Sequence, residues 1–284
     1  MSFSFDRKNF LKAAVTAVVA ASVLAVAACA PTPAVKADPS ALPTVTAGKL
    51  TIGTGNPAYE PWVVGDKPES GEGYEAAVAY AVAAELGFAP EDVVWVRTSF
   101  DEAIAPGVKN FDFNLQQYSI TDDRKKSVDF SSPYYETAQT VITVKGSKAA
   151  SAKTIADLKG LTIGAATGTT SFDAIEKVIK PTSGAQAFNS NDDAKAALTA
   201  GQVDAIVVDL PTALYLTAVE LDGGQIIGQL DGAAAGDKFG LVLDKGSKLT
   251  AKVSAAVEAL KANGTLKKLQ DKWLAGYAGA PVLK

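Results

Sequence analysis

Strand and helix signals alternate along two successive runs of this chain, and that alternation restricts the fold more than any other feature. The first run opens with a short strand signal, Leu50-Thr51-Ile52-Gly53. A helix is predicted over 73–86, with Val78, Val82 and Leu86 at helical spacing and Gly87 as a stop. Residues 93–96 and 111–115 read as further strands. The second run has a strand over 161–165, a helix from the turn at Gly168-Thr169-Thr170-Ser171 to about Lys180, and another helix capped by Ser190-Asn191-Asp192 that ends near Gly201. Residues 203–208 form an apolar stretch broken only by Asp204, as expected of a parallel strand covered on both faces, and Pro211 can begin the next helix. Strands alternating with helices imply two α/β lobes with mainly parallel sheets. Strand signals at 140–146 and 239–246 bracket the second run. They predict a chain that leaves the first lobe and returns to it through a two-stranded hinge. A helix over 249–263, stopped by Gly264, and a short helix bearing Trp273 are then expected on the first lobe. The expected boundaries are 48–143 plus 241–284 for lobe 1 and 144–240 for lobe 2.

Composition removes whole classes of chemistry. The 284 residues are 48% hydrophobic and 20% charged, an ordinary globular balance that excludes disorder, collagen and coiled coil. Histidine is absent and cysteine occurs once, which rules out His-based zinc sites, Ser-His-Asp triads, Cys-His nucleophiles and internal disulfides. The net charge is −4; residues 1–29 carry +2 (Arg7, Lys8 and Lys12 against Asp6), which leaves −6 on the rest. An acidic body without a long basic run argues against a nucleic-acid partner.

The N-terminus reads as an address. A basic segment precedes the uncharged stretch 13–28, whose roughly 16 residues are fewer than the roughly 20 of a spanning helix, so it reads as a signal peptide over 1–28. It ends Val26-Ala27-Ala28-Cys29, which resembles the bacterial lipobox and implies lipidation at Cys29. Residues 29–47, rich in Pro, Ala and Thr, are expected to be a flexible tether to the membrane. Arg7-Lys8-Asn9-Phe10-Leu11-Lys12 also resembles a twin-arginine signal with Lys8 at the second Arg, so general secretion and twin-arginine export both stay open.

Ligands of open α/β sheets sit beyond the carboxyl ends of the strands. Polar segments fall there: Asn56 to Tyr59, Gln116-Gln117-Tyr118-Ser119, Thr167-Gly168-Thr169-Thr170, and Asp209. Arg124 reads as lying in the first turn of a helix capped by Thr121-Asp122-Asp123, where a cation is disfavoured unless an anion joins it. Asp209 is the natural pole for an ammonium, and helix capping ahead of Pro211 is its competing role. An Arg on one lobe and an Asp on the other suit an α-amino acid.

The order of these segments is similar to that of the polar amino-acid-binding proteins of ABC importers, the bacterial extracellular solute-binding proteins of family 3. The resemblance rests on Ser119-Ile120-Thr121-Asp122-Asp123-Arg124 followed by Val128-Asp129-Phe130-Ser131-Ser132-Pro133-Tyr134, on Asp101-Glu102-Ala103-Ile104, Ile155 to Gly160, Gly168-Thr169-Thr170 and Gly201 to Asp209, and on Asn263-Gly264-Thr265-Leu266 with Lys272-Trp273. It covers about residues 48–275. It implies a two-lobed periplasmic-binding-protein type II fold with a two-strand hinge and no enzymatic activity or cofactor. By the same resemblance, the α-carboxylate meets Arg124 and the N–H groups of Ser119 and Thr170, with Thr169 in the same loop. The ammonium meets Asp209 and a backbone carbonyl near Gln117. Tyr59 and Phe100 sandwich the side chain, and Asn56, Gln116 and Trp62 line its pocket. Gln117 and Tyr118 stand where the family often has smaller residues, which alters the pocket. The amides Asn56, Gln116 and Gln117 point to a polar, uncharged side chain. The expected partners are an amino acid, a membrane permease and the lipid on Cys29, with the protein a monomer outside the cytoplasmic membrane. A sensor subunit, or a dehydratase or lytic enzyme on the same scaffold, are the alternatives; the enzyme would need Glu60, Glu75 or Glu102 as a general acid.

Overall fold

Two separate sheets carry the fold. In a computed structural model, residues 39–230, 237–274 and 279–284 are described. The expectations for the signal peptide and for lipidation at Cys29 lie outside them. The first sheet has β1 (Leu50–Thr54) flanked in parallel by β2 (Val93–Arg97) and β3 (Phe113–Asn114). β12 (Val242–Asp244) pairs antiparallel with β3 and with β4 (Val128–Phe130). Every residue of β1 is buried, because helices cover the sheet. The Ala-rich α1 (Tyr74–Glu85) packs on α7 (Thr250–Ala262) and α8 (Thr265–Trp273). Alanine is the strongest helix former and lets helices approach closely. Leu50 and Ile52 share one core with Val78, Val82, Val253 and Leu260.

The second sheet has six strands among the described residues. β7 (Ile163–Ala166), β8 (Gln186–Phe188) and β9 (Ala205–Asp209) are parallel. β6 (Gln139–Val144) is antiparallel to β9 and to β10 (Gly224–Leu230). Alternating residues of β9 enter opposite cores: Ala205 and Val207 one, Ile206 and Val208 the other. That double burial is the reason for the continuous apolar run. Helices α4 (Thr170–Ala174), α5 (Asn191–Thr199) and α6 (Leu210–Tyr215) follow β7, β8 and β9.

Between the sheets, β5 (Tyr135–Thr137) and β11 (Asp237–Phe239) pair antiparallel. Several boundaries differ from expectation. The strand signal at 239–246 is two strands, β11 and β12, in different sheets. All of β6 belongs to the second sheet, so that sheet begins at Gln139 rather than at 144. The chain also returns to it a last time: β13 (Val282–Leu283) pairs with β10, so 241–284 does not lie wholly on the first sheet. Leu283 is 2% exposed in the second sheet's core, and Gly228 admits it because a Cβ there would come within 2.8 Å of the leucine. The strand covers an edge that β10 would otherwise present unpaired. At the other end, Leu42 is buried in the first core and the Val45 N–H donates to Asp112 Oδ1 at 2.8 Å, so the folded body starts before the expected end of the tether at 47. The helix expected to reach Lys180 is α4 continued by a π turn over Ile175–Ile179.

Candidate ligand-binding cleft

A cavity of about 200 Å³ opens between the carboxyl ends of the two sets of strands. Ten of the twelve expected residues line it: Asn56, Tyr59, Phe100, Gln116, Gln117, Ser119, Arg124, Thr169, Thr170 and Asp209. Trp62 and Tyr118 do not; both are 0% exposed. The Trp62 indole packs edge-on against Tyr74, Tyr135 and Phe239, with ring centroids 5.6–6.0 Å apart. Its N–H donates to Thr212 Oγ1 at 3.0 Å, so both its apolar body and its polar tip are satisfied away from the cleft. Tyr118 lies behind the wall, its ring 4.8 Å from Phe100 and its hydroxyl donating to Gln116 Oε1 at 2.8 Å.

Arg124 sits in a single 3-10 turn, Arg124–Lys126, and not in the first turn of an α-helix. The expected dipole penalty is therefore absent, and other contacts orient the side chain. Nη1 donates to the Ser119 carbonyl at 2.7 Å and Nη2 to the Gly168 carbonyl at 2.9 Å, while the guanidinium lies 5.2 Å from the Phe100 ring centre. Burial pulls its pKa below the usual arginine value, and Asp237 works against that. Gly168 has φ +71°, and a Cβ there would also come within 2.9 Å of Asp101 Oδ1, so glycine suits the position on both counts.

Asp209 ends β9 and caps α6, so the capping role is present, and its carboxylate also lines the cavity. Oδ1 accepts the Thr212 N–H at 3.0 Å and Oδ2 accepts the Thr212 hydroxyl at 2.8 Å. At 8% exposure, burial pushes its carboxyl up to about 6, against the two Thr212 bonds. Thr212 thus passes the Trp62 indole bond on to Asp209.

Further contacts cross between lobes. Ser119 Oγ and Thr170 Oγ1 are 3.1 Å apart, and the Tyr59 hydroxyl donates to Asp192 Oδ2 at 3.1 Å. Burial first, then Asp192, raises the Tyr59 pKa. Thr169 caps α4, accepting the Phe172 N–H at 3.2 Å. Thr170 Oγ1 donates to Asp237 Oδ2 at 2.7 Å, and the Gln139 amide donates to the same carboxylate at 2.5 Å. Gln117 is left-handed at φ +51°, a conformation that costs a residue with a side chain about 1–3 kcal/mol.

Sequence reasoning missed Ser99, Asp101, Gln139, Asn189, Ser190 and Asn191 in the lining. The Asn189–Asn191 segment carried a usable signal, since it follows β8 just as Thr167 follows β7.

The model of the bacterial extracellular solute-binding proteins, family 3, matches residues 50–276, and the chain belongs to that family. Its fold is the two-lobed type II fold of periplasmic binding proteins. Among curated relatives, the L-arginine-binding protein of Pseudomonas aeruginosa is 34% identical over 242 residues, covering 82% of this chain and 90% of its own. The ABC transporter glutamine-binding protein GlnH of Bacillus subtilis is 29% identical over 212 residues, covering 73% and 75%. Among solved structures, an ancestral arginine-binding protein bound to glutamine is 33% identical at a TM-score of 0.68, covering 81% of this chain and 99% of its own.

Proposed function

We propose that this protein binds an amino acid with a polar, uncharged side chain outside the cytoplasmic membrane, where a lipid on Cys29 holds it, and delivers the amino acid to an ABC permease as a monomer. The observation that carries the reading is that Arg124 and Asp209 reach one cavity from opposite lobes. The α-carboxylate joins the Arg124 guanidinium together with the Ser119 and Thr170 N–H groups, and the ammonium joins Asp209. Tyr59 and Phe100 flank the side chain. The amides of Asn56, Gln116, Asn189 and Asn191 give it a wall that both donates and accepts hydrogen bonds without imposing a charge. Trp62 and Tyr118, buried, support this wall from behind.

Closure over the ligand excludes water from both charged ends, which strengthens each contact. A contact to a charged group contributes about 1.5–3 kcal/mol, so a few of them, less the cost of immobilising the ligand, support a micromolar or tighter Kd, about −8 kcal/mol. The closed form is the one that docks on the permease. A thermal-shift screen of the twenty amino acids followed by calorimetry tests the reading, because a ligand of the native state raises Tm. Glutamine or asparagine is expected to raise it most. No rise with any amino acid would defeat the proposal, and a rise confined to arginine, lysine and histidine would defeat its uncharged part.

A further inference from the structure

Glu75 is a buried carboxylate that the ligand poles leave unexplained. It stands at the second position of α1 and is 2% exposed. Its partners are all donors: the Gln117 N–H at 2.8 Å, the Gln117 side-chain amide at 2.5 Å and the Tyr134 hydroxyl. An ionised carboxylate is acceptor-only and takes all three; a protonated one can give its O–H only to the Tyr134 hydroxyl oxygen, which then has to withdraw its own bond from Glu75.

Each of those donors belongs to a working part of the molecule. Gln117 lines the cavity in a left-handed conformation that its surroundings have to enforce, and one carboxylate holds both its backbone N–H and its side chain. Tyr134 immediately precedes β5, and its N–H donates to the Phe239 carbonyl on β11 at 2.9 Å, which places it at the root of both hinge strands. One buried group therefore joins the floor of the cleft to the hinge.

We propose that Glu75, ionised, is the positioning residue of the amino-group end of the cleft: it clamps Gln117 so that the adjoining backbone meets the ligand's ammonium beside Asp209, and it ties that loop to the hinge through Tyr134. The proposal rests on the amino-acid reading above. The titratable groups around Glu75 are the Tyr74, Tyr118 and Tyr134 hydroxyls and the Asp209 carboxylate. Burial raises Glu75 to about 7, the Tyr134 and Gln117 bonds oppose that, and Asp209 adds to it. An ammonium held at Asp209 offsets the Asp209 charge that raises Glu75, so ligand binding and deprotonation of Glu75 reinforce each other.

The test uses the full chain with glutamine and arginine as probes. In the wild type, the Kd from calorimetry is expected to tighten several-fold as pH rises through about 7. Glu75→Gln, which sets an NH2 against the same donors, is expected to weaken binding about tenfold or more at pH 8 and to abolish the tightening near 7. Tyr134→Phe removes one donor from the carboxylate and is expected to move the wild-type midpoint to higher pH; it decides the matter alone if Glu75→Gln does not fold. In the ligand-free wild type, the Gln117 amide resonance is expected to titrate with the same midpoint. Wild-type affinity and pH profile in Glu75→Gln, an unmoved midpoint in Tyr134→Phe, or a Gln117 amide that does not titrate would each overturn the proposal. If neither probe binds the wild type, the Gln117 amide alone decides the clamp, and the amino-acid reading falls only if the screen of all twenty amino acids is also silent.

Discussion

Arg124 Nη2 donates to the Gly168 carbonyl at 2.9 Å, from the segment ahead of β4 in the first sheet to the loop after β7 in the second. The proposed carboxylate clamp is thus also a fastener between lobes. A guanidinium has five donors in a planar fork, enough to hold the Ser119 and Gly168 carbonyls and still face a carboxylate.

Arg124→Ala is expected to weaken amino-acid binding by a factor of about 100 or more, equivalent to about 3 kcal/mol, with the fold of the ligand-free protein preserved and its Tm lowered modestly by the loss of the two carbonyl bonds. Arg124→Lys should fall between, since an ammonium lacks the fork. Calorimetry alongside circular dichroism checks both. Undiminished affinity in the alanine variant would remove the clamp.

Asp209 makes a prediction about ligand-free stability. Its carboxyl is raised to about 6 in the fold, against about 3.9 unfolded, so the folded state holds the proton more tightly. Its contribution to stability is therefore greatest in acid and declines as pH rises from about 4 through about 6, by about 3 kcal/mol at most. Asp209→Asn keeps a good N-cap and has no charge to bury. It should lose that decline, melt at pH 7 no lower than the wild type, and bind amino acids poorly. Melting curves from pH 4 to 8 measure this. A lower Tm at pH 7 with the wild-type decline intact would contradict it.

Trp62 separates two readings of one residue. A pocket residue would lose affinity on substitution and keep its melting temperature. A fully buried indole packed on Tyr74, Tyr135 and Phe239 should instead lose stability, about 3–5 kcal/mol for Trp62→Ala. Denaturant titration of the ligand-free protein distinguishes them, and an unchanged midpoint would return Trp62 to the cleft wall.

The misplacement of Trp62 shows where sequence reasoning stops. Period and punctuation carry the local pattern: the apolar run that becomes β9, the Ser190 cap of α5 and the Gly264 stop after α7 were all legible from neighbours in the chain. The strand-end rule likewise brought Asn56, Gln116, Thr169 and Asp209 to one cavity. Facing direction is set by residues far away in sequence. Trp62 points to Thr212, 150 residues on, and Leu283 reaches the second sheet because β10 has a free edge there. Neither partner leaves a mark next to the residue it captures. The turn at Arg124 misled for a related reason: Thr121-Asp122-Asp123 is good capping chemistry, but the chain must enter β4 at Val128, which leaves room for only one 3-10 turn.

Tyr59 offers the cleanest separation of closure from ligand contact. Its ring lines the cavity, and its hydroxyl reaches past it to Asp192 Oδ2 at 3.1 Å in the other lobe. Asp192 also pairs with Lys195 at 3.0 Å, which keeps the carboxylate in place when the tyrosine leaves. Tyr59→Phe preserves the ring and removes only the cross-lobe bond, which is partly solvent-exposed and so contributes about 0.5–1.5 kcal/mol. That loss falls on the closed state, because the bond cannot form when the lobes part. The dissociation rate of a bound amino acid should rise about 2- to 10-fold while the association rate stays nearly constant. Burial and Asp192 hold the Tyr59 hydroxyl above its usual pKa, so it stays protonated throughout the neutral range and the rise should be independent of pH between 6 and 9. Stopped-flow fluorescence follows both rates, and a variant that releases its ligand at the wild-type rate would show that the Tyr59–Asp192 bond does not hold the cleft shut.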